Sequence, residues 1–344
     1  MKALSYLLIT GLLAACTSVR YMGIETYNPS EVMYPENVRK VLIVNNALPQ
    51  SPDRGYEFIF LGVPQDTCKA NADSALSDAC RTLGAAIVES DFFDDVLLFQ
   101  EATRKDKAFY ADVKLSPEEV KSLCEETGAD AIISFDRLLF DMKKETGALI
   151  AGYVSGSIRI DIAGISRTYL PGKLSPAATV VVSDSISWFE EAYSLEELDL
   201  LLPAPEEALR IAGGYIGSKL SSVFVPHWKN DVRWYFTGSG ARWKEATAYA
   251  VAEKWEQASG RWHYIYTTSS RWSDKAKAAS NLALACEITA QMEEALGWAE
   301  ISYDLFEKNK GKDYTHTRTQ QLYTETLKQR ILNNKKLNSQ FGEK

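Results

Sequence analysis

Reactive side chains are sparse in this 344-residue chain, and the histidines are the first to consider: there are three, His227, His263 and His316. They stand far apart, with no HExxH and no pair one helical turn apart, so only folding could gather them round one metal ion. The serines form no G-x-S-x-G elbow. "TGSGAR" lacks both the lysine and the strand-before-helix setting of a phosphate cradle. The three aspartates of "SDFFDD" are not spaced as a calcium loop and read as a turn before a strand. Glu118-Glu119 and Glu206-Glu207 fall in predicted first helical turns, where carboxylates favour the helix dipole. A hydrolase would need two carboxylates brought together in space, which the sequence neither points to nor excludes. No metal or cofactor site is expected. Aromatic side chains are the remaining chemistry. Trp228, Trp234, Tyr235, Trp243, Trp255, Trp262, Tyr264, Tyr266 and Trp272 crowd one stretch. They read either as packing or as an exposed platform for a peptide or glycan, with Trp228, Trp255, Trp262 and Tyr264 as the candidate platform.

The one nucleophile with a clear setting is Cys16, in "LITGLLAACTSVR" (residues 8–20). Met1-Lys2 supplies a positive charge, and the apolar run Ala3 to Ala15 has the length of a signal-peptide core, short of the ~20 residues that span a bilayer. Leu13-Ala14-Ala15-Cys16 resembles the bacterial lipoprotein box in every position. That resemblance implies cleavage before Cys16, acylation of its thiol and attachment to a membrane through the lipid. Each buried methylene contributes ~0.8 kcal/mol and more than one chain gives a stable anchor. Thr17-Ser18-Val19-Arg20 holds no aspartate beside the cysteine and no acidic cluster. By resemblance to known sorting signals, this implies the outer membrane, facing the periplasm rather than the outside.

The net charge of −8 argues against a nucleic-acid partner, and Lys and Arg form no long patch. Besides Cys16 there are Cys68, Cys80, Cys124 and Cys286, none in a CxxC pair. In an oxidising periplasm Cys68 and Cys80 could close a short loop; two small buried thiols is the other reading. Cys124 and Cys286 fall on apolar helical faces and are expected in cores.

The elements that would position any site follow from periodicity. "KVLIVNN", "DVLLFQ" and "AIISFDRLLF" are short apolar runs expected as buried strands. Between them, "ADSALSDACRTLGAAIVES" has helical spacing, and "SPEEVKSLCEETGAD" opens on a Ser cap with Pro at the first helical position and closes on Gly128. "GYVSGSIRIDIAGI" and "AATVVVSDSISWFEEAYS" alternate and are expected to pair as an antiparallel hairpin through Tyr169–Lys173. In "PEEALRIAGGYIGSKLSSVF" the glycines imply close packing of a helix onto the sheet, and "DVRWYFTG" is expected as a last strand. The order of elements, with the joint "LCEETGADAIIS", weakly resembles the periplasmic α/β domains of the curli-secretion lipoprotein and of the Tol-system propeller protein.

"WKEATAYA" (243–250) lines up with "MEEALGWA" (292–299), 49 residues apart. Residues 276–309 resemble a 34-residue tetratricopeptide repeat, with Leu282 and Ala283 in helix A and Ala295 and Ser302 at the small positions of helix B. Cys286, Ala299 and Glu307 depart from the pattern, and "WEQASGRWHYIYTTSSRWSD" would hold an insertion, a longer helix or an irregular turn. A last helix, about Tyr314 to Leu332, would cap the stack.

The expected organisation is a signal peptide at 1–15, a tether and first strand at 16–29, an α/β (α+β) domain with a mixed sheet at 30–238 and an all-α tetratricopeptide-like section at 239–344. Together these resemble an uncharacterised lipoprotein family of Bacteroidota, a likeness that implies no activity. The leading expectation is a non-enzymatic, lipid-anchored scaffold for a protein or peptide, with Lys277, Ser280, Leu284, Glu287 and Ile288 on the inner face of helix A as the candidate groove. The alternatives are a carbohydrate-binding envelope lipoprotein using the aromatic stretch, and a hydrolase with an unmotifed carboxylate site.

Overall fold

A computed structural model describes residues 19–65, 69–101, 103–104, 106–148 and 152–342. The signal segment, Cys16 and Cys68 lie outside them. The chain divides into two compact units: one is Ser30–His227, and the other joins the residues before Ser30 to those from Trp228 onward. Strand β1 (Val19–Asn28) belongs to the second unit.

In the α/β unit, β2 (Lys40–Asn45) is followed by a short hairpin of β3 (Tyr56–Phe60) and β4 (Val63–Gln65), then α1 (Asp73–Glu89) and β5 (Asp95–Leu98). Next come α2 (Pro117–Thr127), β6 (Ala131–Ala148), β7 (Val154–Tyr169), β8 (Ala178–Ala192), α3 (Leu195–Leu201) and α4 (Pro205–Phe224). Strand β6 is the axis of a seven-stranded mixed sheet. Its first half pairs in parallel with β2, and β2 with β5. Its second half pairs in parallel with β3, which carries β4 antiparallel on its outer side. Along the opposite edge of β6 runs β7, antiparallel, then β8.

Val41, Leu42, Ile43 and Val44 are all buried because both faces of the sheet are covered there, as parallel strands require. Val41 and Ile43 enter the core shared with α1 and α4, whereas Leu42 and Val44 enter the one shared with Val120, Leu123 and Cys124 of α2. Helix α2 has the expected frame: Ser116 and Glu119 form a capping box, Pro117 opens the helix and Gly128 closes it at φ 72°. Over residues 156–164 of β7 only one face is buried, so Ile158, Ile160 and Ile162 point inward while Arg159 and Asp161 pair outside.

The glycines of α4 serve a helix, not the sheet. A Cβ at Gly213 or Gly217 would lie 2.1 Å from the carbonyl oxygen of Ala75 or Ala79 on α1, so the two backbones meet where side chains are missing. The β3–β4 hairpin was not expected, being too short and too exposed to show alternation.

The second unit holds β9 (His227–Phe236), which pairs with β1 in a separate two-stranded sheet. The sequence placed this strand last in the α/β sheet; the structure pairs it with β1 instead, and the compact α/β unit ends at His227. The reason lies at its C-terminal end. The Asn281 side chain accepts from the Phe236 N–H at 2.7 Å and donates to its carbonyl at 2.8 Å, fixing the strand to a helix of this unit.

Five helices follow: α5 (Ala241–Val251), α6 (Trp255–Thr268), α7 (Trp272–Ile288), α8 (Met292–Lys310) and α9 (Thr315–Phe341), the last running past the expected end at Leu332. Among the described residues no helix is long and apolar enough to cross a membrane.

The helices form a repeat: α7 and α8 cover the expected 276–309, but the first copy matches them in another register. The turns Ala252-Glu253-Lys254 and Thr289-Ala290-Gln291 share one conformation: φ/ψ −88°/11° against −88°/15°, left-handed middles at φ 56° and 62°, and −85°/69° against −91°/69°. They lie 37 positions apart, from Ala252 to Thr289. This makes α5–α6 and α7–α8 the equivalent pairs, with short turns that reverse the chain. Ala246 then matches Ala283, Ala258 matches Ala295, Trp262 matches Ala299 and Ile265 matches Ser302, all buried. The 49-residue match joined the first helix of one pair to the second helix of the next. Both helices of a close pair need alanine at their crossing, which made unlike helices look alike. Of the insertion, longer helix or irregular turn expected at 255–274, the structure shows helix: α6 fills most of the stretch and α7 begins at its end.

Candidate functional site

Helix α7 is built of small apolar residues, "LALACEI", interrupted by Glu287. Its carboxylate is fully buried and held by partners from two elements. Arg233 of β9 donates from Nε at 3.1 and 3.0 Å and from Nη2 at 2.9 Å. From α9, Tyr323 donates its hydroxyl at 2.7 Å and Arg330 donates through Nη1. A carboxylate out of water persists only with such pairing. Burial pushes the Tyr323 hydroxyl well above its ordinary value, and the neighbouring Glu287 adds to that. For Arg233, burial works downward, but the Glu287 carboxylate outweighs it and the guanidinium is held more firmly charged.

This cluster floors a cleft of about 370 Å³. One wall is Met22, Gly23, Ile24 and Glu25 of β1; the other is Glu253, Trp255, Ile288, Ala290 and Met292, with Glu287 and Arg330 beneath. Both repeat turns contribute their left-handed residue, Glu253 and Ala290. Side chains of successive strand residues point to opposite faces, so four consecutive residues line one cleft only where the backbone edge of the strand turns toward it. Glu25 and Glu253 are exposed acids at this wall. On the far side of Trp255 is a second hollow of about 270 Å³, lined also by Glu256, Ser259, Cys286 and Gln291.

The five groove candidates separate. Glu287 and Ile288 line the cleft. Ser280 is buried and accepts from Gln320 Nε2 at 2.9 Å, and Leu284 is wholly inside the core. Lys277 is half-buried, with its Nζ 5.7 Å from the ring of Phe236. The open inner face expected for this helix is therefore covered by the chain's own β9 and α9. Of the aromatic candidates, Trp255 lines the cleft and Trp262 is fully buried, 6.2 Å from Tyr235. Trp228 is exposed and packs on Tyr27 at 4.9 Å, and Tyr264 lies under the Arg242 guanidinium at 3.7 Å. Arg233, Tyr323, Arg330 and the β1 wall were not anticipated. One signal was available: a single glutamate on an otherwise apolar helix face asks for a buried cation.

A second polar centre lies in the α/β unit, where the pairing of β6 with β7 shifts register between Phe135 and Arg137. Asp136 there is fully buried, accepting from Ser134 at 2.5 Å, Asn46 at 3.2 Å, Arg167 at 2.7 Å and the Tyr169 hydroxyl at 2.5 Å. Arg167 also grips Asp112 through both terminal nitrogens, at 2.6 and 2.7 Å. The network thereby ties the segment between β5 and α2 down onto the sheet. Burial raises the Tyr169 hydroxyl, with Asp136 adding, and Arg167 holds the Asp112 carboxyl below the usual carboxylate range.

Cys80, Cys124 and Cys286 are buried thiols; burial pushes Cys80 up to about 12. Its proposed partner Cys68 is outside the described residues. Among the described residues no cluster of histidine, cysteine or carboxylate could hold a metal ion.

Fold and site together define a chain with one mixed α/β unit and one helical-repeat unit carrying a cleft. It belongs to the family "Domain of unknown function (DUF8603)", matched over residues 38–236. Residues 244–329 match "Domain of unknown function (DUF6340)". No curated protein matches. Among solved structures the chain is similar to the hypothetical protein CT253 of Chlamydia trachomatis, at 10% identity and a TM-score of 0.20, covering 54% of this chain and 98% of that one.

Proposed function

We propose that this protein is a lipid-anchored scaffold of the bacterial cell envelope, held at the periplasmic face of the outer membrane through Cys16, and that its helical unit, of tetratricopeptide type, binds an extended segment of a partner protein. The observation that carries the reading is the cleft with a strand edge as one wall and two matching helix turns as the other. A strand edge offers unpaired N–H and C=O groups to an extended peptide, and the neighbouring hollows select side chains. Trp255, Ile288 and Met292 favour an apolar residue, while Glu25 and Glu253 favour a lysine or arginine beside it.

Photo-crosslinking in intact cells tests this. A photoreactive residue at Ile24 should give a discrete adduct with another protein, whereas one at the exposed Leu174 of the β7–β8 turn should not. Glu253→Arg should reduce the Ile24 adduct. No adduct at Ile24, or equal labelling at both positions, would sink the proposal.

A further inference from the structure

Strand β8 is the outermost strand on its side of the seven-stranded sheet, and all 15 of its residues run beside β7. Its other edge is unpaired among the described residues. Edge strands of this length are ordinarily blunted by proline, lysine, a bulge or an inward-pointing charge. Residues 178–192 contain no proline, lysine or arginine, and the β7–β8 register runs without a break. One inward-pointing charge, Asp184, lies mid-strand, but it is half-buried and already paired with Lys219 and with Tyr215 at 3.1 Å. The other two, Glu190 and Glu191, stand at the end. On the inner face Val180, Val182, Ile186 and Trp188 pack against the core. On the outer face Val181 and Phe189 are 77% and 62% exposed, large apolar groups in water on an open edge.

We propose that β8 pairs antiparallel with β8 of a second copy of this chain, about a two-fold axis at Ser185, so that two seven-stranded sheets become one continuous sheet. The strand is complementary to itself in that register. Directly opposite residues of an antiparallel pair share a face, and with the axis at Ser185 the exposed Val181 of each copy stands opposite the exposed Phe189 of the other. An aromatic opposite a β-branched residue is a favourable cross-strand pair. Ser183 meets Ser187, Asp184 meets Ile186, Glu190 meets Val180 and Glu191 meets Thr179, so no two like charges face each other. Neighbouring registers that keep inner face with inner face lose this. An axis at Asp184 sets Asp184 against Asp184, one at Ile186 sets Val181 against Glu191, and one at Ser187 sets Asp184 against Glu190. An axis at Ser183 leaves Phe189 without a partner in the strand.

The test uses the purified full-length chain in mild detergent. Sedimentation equilibrium should give twice the mass of the mature chain, as mass spectrometry of the same sample measures it. Ser185→Cys should form a disulfide-linked dimer on mild oxidation, because opposed antiparallel residues lie within disulfide reach. Ser187→Cys alone should form no more of it than the parent chain, and mixing Ser183→Cys with Ser187→Cys chains should restore it. Ser185→Lys sets two ammonium groups opposite each other and should give a monomer with an unchanged circular dichroism spectrum. A monomeric parent chain, a dimer that survives Ser185→Lys, or crosslinking by Ser187→Cys as ready as by Ser185→Cys would each overturn the proposal.

Discussion

Among the described residues, Asp136 and Glu287 are the two carboxylates buried completely, and each is held by arginine and tyrosine. Removing one partner of such a group leaves the other charge unpaired away from water. Glu287→Ala should therefore cost about 3–5 kcal/mol of unfolding free energy, because the buried Arg233 would keep only Asp231, at 3.9 Å. Chemical denaturation measures it, and a loss under about 1 kcal/mol would mean that the network relaxes to water. Asp112 carries part of the acid-side pH dependence, beside other lowered carboxyls such as Asp78, Asp184 and Asp231. Its folded pKa is depressed by Arg167, so its contribution is complete above the unfolded value near 4 and is lost as pH falls through the lower folded value. Asp112→Asn should flatten the acid limb of the stability curve while changing little of its shape near neutrality. Thermal unfolding of both chains across the acid range checks this, and an acid limb as steep as the parent's would contradict it.

At the scale of elements, glycine distinguishes two kinds of helix. Gly217→Ala would place a Cβ 2.1 Å from the Ala79 carbonyl oxygen and force α1 and α4 apart, at about 1–3 kcal/mol or more. Gly297, inside α8, has nothing within 4 Å of its would-be Cβ. Gly297→Ala should stabilise by about 0.5–1 kcal/mol through helix propensity alone. Urea midpoints moving in opposite directions would bear out both assignments; a stabilising Gly217→Ala would refute the close crossing. The strands β2, β5, β6, β7 and β8 and the helices α1, α2 and α4 were legible because apolar period and caps act over a few residues. The destination of β9 was not. Its pattern says strand, but its partner β1 and its tether Asn281 are remote in sequence. The groove failed for a related reason: the face of α7 is apolar enough to be buried, and what covers it comes from β9 and α9. Only Glu287, Ile288 and Trp255 of the named site residues reach the cleft, because sequence shows which face a residue is on and not which distant element covers that face.

At the scale of the whole molecule, the tether is the proposal most directly put to trial. Cys16→Ser should abolish incorporation of labelled palmitate and release the protein from the membrane fraction, since the proposed anchor rests on that single residue. Retained membrane association without label would redirect attention to another surface. The two units differ in how they use the chain: Ser30–His227 is continuous, whereas the helical unit is assembled from both sides of it.

That discontinuity sets an order of events during synthesis. Strand β1 leaves the ribosome early, but its partner β9 is encoded roughly 200 residues later. At about 5–20 residues per second, β1 waits on the order of 10–40 s for the strand that completes it. The intervening α/β unit has every strand of its own sheet in hand before β9 exists. The first strand made is thus one of the last to be paired, and the cleft it walls can exist only on a chain translated past it to the final helices.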